Sequence, residues 1–163
     1  MGSESEGVAA LVLSKINLRV LIDECFGELS NELTKRKIEL VVKHCTDEHF
    51  VTGYKDFLKK VLMTLIGNAV NHSPDNEVVR VEGSINPGFI IYRIIDKGKG
   101  FAAKILENDF KPMIQVEKHI DNKTGLELHF AKLVMDAHSG KIRIGNNVSG
   151  GAFVELKFPI STI

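Results

Sequence analysis

Phe89-Ile90-Ile91-Tyr92-Arg93-Ile94-Ile95 runs directly into Asp96-Lys97-Gly98-Lys99-Gly100, and this stretch decides how the chain is read. Its first part is apolar with one charge, the composition of a buried strand. A carboxylate ends the strand, and the glycines after it let backbone approach a ligand without a Cβ in the way. Upstream, Val61-Leu62-Met63-Thr64-Leu65-Ile66-Gly67 carries a helical apolar pattern that closes in Asn68-Ala69-Val70-Asn71-His72. An amide at the end of a buried helix can bind a hard metal ion, and a carboxylate at the end of a buried strand can hold a flat polar ring. Together the two runs predict a nucleotide site.

Working outward, residues 16–19 read as a short edge strand and 20–35 as a helix with Leu21, Ile22, Cys25, Phe26, Leu29 and Leu33 on one face. Strands are expected at 38–44 and 50–52, then a helix over 54–71 that Ser73-Pro74-Asp75 stops. Residues 78–84 and 89–96, hinged at Asn86-Pro87-Gly88, start a meander that 141–145 and 152–158 complete. Between them lie a short helix near 102–107, a polar stretch at 111–123, and a helix over 125–137 with Leu126, Leu128, Phe130, Leu133 and Val134 as its apolar positions. The expected fold class is α+β: a two-layer α/β sandwich with a mixed, mostly antiparallel sheet and helices on one face. Residues 1–7 are pattern-free and excluded, 8–15 read as the end of a preceding helix or linker, and 16–163 as one domain.

Composition sets the outer bounds. Lys+Arg and Asp+Glu balance at 21 each, so no global charge argues for nucleic acid or for direct membrane contact. No run approaches the roughly eighteen apolar residues of a membrane span. Cys25 and Cys45 lack metal-ligand spacing and read as reduced thiols, which places the expected compartment in the cytoplasm.

The order of these pieces is specific: a helix ending in Asn-Ala-x-x-x-Ser-Pro (68–74), a strand ending in Asp-x-Gly-x-Gly (96–100), a loop, a Gly125-Leu126 helix start and two closing strands. It resembles the ATP-binding catalytic domain of sensor histidine kinases, of the superfamily that includes DNA gyrase, the ninety-kilodalton heat-shock chaperone and the mismatch-repair ATPases. The resemblance spans residues 16–160; Phe110-Lys111-Pro112-Met113 and Val134-Met135-Asp136-Ala137-His138-Ser139-Gly140 point to the kinase branch. It implies Mg²⁺ held by Asn68, adenine bound by Asp96, and close backbone approach at Gly98, Gly100 and Gly125. It also implies nucleotide contacts from Asn71, His72, Thr124 and Leu126, a lid braced by Phe110, and phosphate contacts from Lys111, Lys118 and Lys123. The partners it implies are a histidine-bearing dimerisation and phosphoacceptor domain and a response regulator receiver domain.

Several positions depart from that family's pattern. Lys123 and Glu127 stand where two glycines of the second glycine box are usual. Thr124 and Glu127 also read as a capping box that would satisfy the helix's own amides and set a carboxylate near the phosphates. Replacing Glu127 with glycine is therefore expected to tighten nucleotide binding. Thr64 stands where the hydrolytic branches carry a general-base glutamate, which argues against an ATPase of the gyrase or chaperone kind. No histidine has the context of a phosphoacceptor. Two expectations stand side by side: a working ATP-binding kinase domain, and a degenerate docking or regulatory module of the same fold.

Overall fold

The computed structural model describes residues 12–45, 50–111 and 122–162. Strand β1 (Ser14–Asn17) leads into helix α1 (Leu18–Arg36), whose start is set by Asn17: its side chain accepts the Val20 amide. That cap starts the helix earlier than the periodicity suggests, so the strand expected at 16–19 lies at 14–17, partly in the stretch expected to be a helix end or linker. β1 is also not an edge of the main sheet; it pairs antiparallel with β3 (Phe50–Gly53) in a separate two-stranded sheet.

The main sheet has the order β2-β4-β5-β7-β6. Strand β2 (Glu39–Lys43) runs parallel to β4 (Val78–Asn86); β5 (Phe89–Ile95), β7 (Ala152–Pro159) and β6 (Lys141–Asn146) continue antiparallel. The expected meander is corrected here, because β7 rather than β6 lies beside β5. The reason is apolar content. Ala152, Val154, Leu156 and Phe158 are buried along β7, whereas Ile142 alone is buried along β6, so the more apolar strand takes the interior place.

Helices α2 (Lys55–His72), α3 (Ala103–Glu107) and α4 (Asn122–Ala137) complete the element order. One face of α2 (Leu58, Val61, Leu62, Leu65, Ile66, Ala69) is buried in the same cluster as the inward residues of β4, β5 and β7. Within it Tyr92 is 1% exposed; its hydroxyl meets His44 Nδ1 at 2.8 Å, and burial raises its pKa above the usual tyrosine value. On α4 the buried hydrophobic positions are Leu128, Ala131, Val134 and Met135, while Leu126 and Leu133 are 50% and 54% exposed. Small Ala131 completes the helical stripe that a search for large residues assigns to the wrong face.

Both ends of α2 are held by other elements. At its start the Tyr54 amide donates to His138 Nε2 (2.9 Å), while His138 Nδ1 donates to the Val134 carbonyl (2.7 Å), so the end of α4 fixes the start of α2. At its end Arg36 Nη1 donates to the Val70 (2.7 Å) and Asn71 (3.2 Å) carbonyls, Nη2 donates to that of Ser73, and Nε meets Asp75 at 2.8 Å. The carbonyls orphaned at a helix end are thus met by one guanidinium.

Candidate functional site

A cavity of about 510 Å³ opens between the second half of α2, the ends of β5 and β7 and the start of α4. This is a size that accepts a small molecule. Leu65, Ala69, Ile94, Ile105, Leu128 and Val154 make its walls apolar; Asn68, His72, Asp96, Lys99 and Thr124 are its polar groups. A smaller cavity of about 280 Å³ beside Thr52, His138 and Ser161 has no acidic side chain in its lining.

Asp96 is 8% exposed and held from several directions. Its Oδ1 accepts the Gly98 amide (2.8 Å) and the Ala152 amide (3.0 Å), and its own amide donates to the Ala152 carbonyl (3.0 Å). Among the described residues Oδ2 has no hydrogen bond, so one oxygen is fixed by backbone and the other is left to the cavity. This arrangement needs β7 to pass against the Asp96 backbone. Gly151, with φ of 87°, permits it, since a Cβ there would overlap the Asp96 carbonyl. The loop is also tied to α2: the Lys97 amide donates to Ser73 Oγ (3.2 Å), which donates to the Ala69 carbonyl (2.9 Å). Beyond it, Gly100 has φ of 85°, and Asn146 takes both the amide (2.6 Å) and the carbonyl (3.0 Å) of Phe101.

The structure gathers Asn68, His72, Asp96, Gly100 and Thr124 around this one cavity. Other expected site residues lie elsewhere. Gly98 sits behind Asp96, against the His72 carbonyl. Asn71 is exposed and offers its carbonyl to Arg36. Phe110 is half-buried with φ of 60°, its carbonyl bound by His129 Nδ1 (2.7 Å), and with Gly125 it faces a small gap behind Ile105 and Leu128. Leu126, Lys111 and Lys123 are exposed and do not line the cavity. Lys118 and residues 112–121 of the expected lid lie outside the described residues.

The capping-box expectation is corrected. α4 begins at Asn122, so Thr124 already lies inside the helix and cannot be its N-cap. Glu127 instead reaches across to α2, where its Oε1 accepts from Asn68 Nδ2 at 3.3 Å. Sequence reasoning also passed over Lys99, Asn146, Gly151 and Ala152. Lys99 stands inside the quoted motif, and nothing local signals that the Gly150-Gly151 turn seats a carboxylate more than fifty residues away.

Among the described residues no group of three His, Cys, Asp or Glu side chains could cage a metal. Asn68 Oδ1, without a hydrogen bond among those residues, is a hard oxygen donor at the cavity wall. That donor set fits an ion which takes one or two protein oxygens and completes its shell with phosphate and water.

The fold and the site define a class. Residues 53–162 match the model of the histidine kinase-, DNA gyrase B- and HSP90-like ATPases, and the chain belongs to that family. Within it, the similarities fall among sensor histidine kinases. The chain is 24% identical over 163 residues to the sensor histidine kinase SpaK of Bacillus subtilis, covering 97% of this chain and 35% of SpaK. It is 27% identical over 142 residues to the sensor protein KdpD of Clostridium acetobutylicum, covering 85% of this chain and 16% of KdpD. The chain therefore spans about a third of SpaK and less of KdpD. A nucleotide-free catalytic domain of the histidine kinase ThkA superposes with a TM-score of 0.80 at 21% identity, over 91% of this chain and 98% of that one. ThkA in complex with the response regulator TrrA matches with a TM-score of 0.77 at 20% identity, over 93% of this chain and 42% of that one. The mixed, mainly antiparallel sheet with its helices is the architecture of those catalytic domains. No helix among the described residues is long and apolar enough to cross a membrane.

Proposed function

We propose that this chain is the ATP-binding catalytic domain of a two-component sensor histidine kinase. It binds ATP with Mg²⁺ and presents the γ-phosphate to a histidine on a separate dimerisation and phosphoacceptor domain, which in turn serves a response regulator. The observation that carries the reading is Asp96 in its cavity: apolar walls closing on one carboxylate, with Oδ1 pinned and Oδ2 left to the cavity. An ionised acceptor in such surroundings selects a flat ring bearing an exocyclic N–H donor, which adenine has at the position where guanine has a carbonyl. Leu65, Ile94 and Val154 supply the apolar surface for the ring's faces.

Asn68 would hold the metal through Oδ1, and the ion would supply charge neutralisation at the phosphates. Thr124, at the start of α4, and Lys99 and His72, also in the cavity lining, would face the phosphates. Catalysis by such a site is positioning and charge neutralisation, because phosphoryl transfer asks for little covalent participation from the protein.

One observation favours the second reading, a docking module of the same fold with little nucleotide binding: the amide of Asn68 is engaged by Glu127. Phosphotransfer separates the two. The chain, γ-labelled ATP, Mg²⁺ and the histidine-bearing domain of the parent protein are mixed, and label should move to that domain. No transfer from wild type, with ATP shown to be unbound, contradicts the kinase reading and leaves the docking module.

A further inference from the structure

Asn68 lines the cavity, and Glu127, from a different helix, meets it Nδ2 to Oε1 at 3.3 Å. The chemistry of the pair fixes its orientation. A carboxylate offers only acceptors, so the amide must turn its NH₂ toward Glu127 and leave Oδ1 free. Neither Asn68 Oδ1 nor Glu127 Oε2 has a hydrogen bond among the described residues. Each residue of the pair therefore keeps one hard oxygen donor without a hydrogen bond among the described residues, and Asn68 lines the cavity.

We propose that Glu127 is a second oxygen ligand to the divalent ion that Asn68 holds, and that it makes nucleotide binding conditional on that ion. The inference rests on the nucleotide reading above and extends it to a residue at which the family's usual glycine is absent. Without the ion, a carboxylate beside a polyphosphate is like charge against like charge in a partly enclosed site. With the ion between them, the same carboxylate becomes part of an alternating arrangement, and a site of one amide and one carboxylate is well suited to Mg²⁺. The expectation that Glu127 simply repels phosphate then holds only when the metal is absent.

Linkage gives a signature that other roles do not share. The ratio of nucleotide Kd without the ion to Kd with it measures the coupling between the two ligands. Removing the charge at Glu127 should move the two limbs in opposite directions: tighter binding without the ion, weaker binding with it. A packing defect would weaken both, and a purely repelling carboxylate would on removal strengthen both. Glu127→Gln keeps an acceptor for the Asn68 amide, so the helix contact survives while the charge is lost.

The experiment is calorimetric titration of ADP into the full chain, wild type and Glu127→Gln, in excess EDTA and in saturating Mg²⁺. Mn²⁺ binding in the presence of ADP, followed by electron paramagnetic resonance, serves as a readout of the ion itself. The expected result is a coupling ratio at least about tenfold smaller in the variant, within the ordinary range of such couplings, together with weaker Mn²⁺ binding. An unchanged ratio, or both affinities moving the same way, overturns the role of Glu127 while leaving the nucleotide site standing. Wild type that binds ADP in neither condition overturns the nucleotide reading itself, and this inference with it.

Discussion

Replacing Gly98 with alanine would drive a methyl group into the carbonyl that closes α2. A Cβ at this position falls 2.5 Å from the His72 oxygen and 3.1 Å from its carbon, with Asp96 Oδ1 at 3.3 Å on the other side. Ordinary C–H···O contacts settle near 3.3 Å, so the end of α2 and the Asp96 loop must part by about 0.8 Å. Neither neighbour gives easily. Ser73 Oγ ties the loop to α2, and the Gly98 amide is one of the donors that pin Asp96. Overpacking of this kind costs about 1–3 kcal/mol, which for a chain of this size is a fall in Tm of about 3–10 °C. The control is Gly67→Ala on the same helix, where a Cβ meets nothing within 4 Å. That change should instead stabilise by about 0.5–1 kcal/mol, through helix propensity and a less flexible unfolded chain. Thermal unfolding of both variants, alone and with Mg²⁺ and ATP, reads the difference. Gly98→Ala should melt lower and lose most of the ligand-induced rise in Tm, while Gly67→Ala should melt higher and keep it. Equal melting temperatures, or an undiminished ligand shift in Gly98→Ala, would refute the packing of the Asp96 loop on α2 as the device that shapes the site.

Arg36→Met should cost about 1.5–3 kcal/mol by stripping charge-assisted bonds from the end of α2; the urea midpoint should fall and amide exchange should rise at residues 70–73. His138→Ala leaves the Tyr54 amide without its partner, while the Val134 carbonyl still accepts the amide of residue 138, and a loss of about 1–3 kcal/mol in chemical unfolding is expected. Burial pushes the Cys25 thiol up to about 11, with Lys59 pulling the other way. A pKa raised on folding means a contribution fully present below the unfolded value and lost as pH rises through the folded one. Stability should therefore fall between about pH 9 and pH 11, by up to about 1.4 kcal/mol per unit, and Cys25→Ala should flatten that slope in urea titrations.

Much of this architecture was legible because its signals are local. The run ending in Asp96 is apolar enough to be a central strand, and α2 repeats its apolar residues at helical spacing up to Ala69. Cavity-lining Asn68, His72, Asp96 and Thr124 followed from the same motifs. What escaped was non-local. The order β5-β7-β6 depends on competition between β6 and β7 for an interior place, which no single strand reports. The seat of Asp96 is built by Gly151 and Ala152, far along the chain, and the guanidinium that caps α2 comes from α1. The Thr124–Glu127 spacing satisfied a local rule, yet the helix began earlier and Glu127 found Asn68 instead. Leu126 and Leu133 misled for a related reason: large apolar residues outweighed Ala131, which marks the true buried face of α4.

The most direct measurement is calorimetric titration of ATP and GTP, with Mg²⁺, into wild type and Asp96→Asn. In the variant the asparagine oxygen must take the place of Oδ1 to keep the Gly98 and Ala152 amides satisfied, which turns its NH₂ toward the cavity. A donor would then face the donor of adenine. Wild type should bind ATP in preference to GTP, and the variant should lose at least about tenfold in ATP affinity, the scale of one charge-assisted hydrogen bond. Wild type that does not distinguish ATP from GTP, or a variant that binds ATP unchanged, would contradict Asp96 as the group that reads the base.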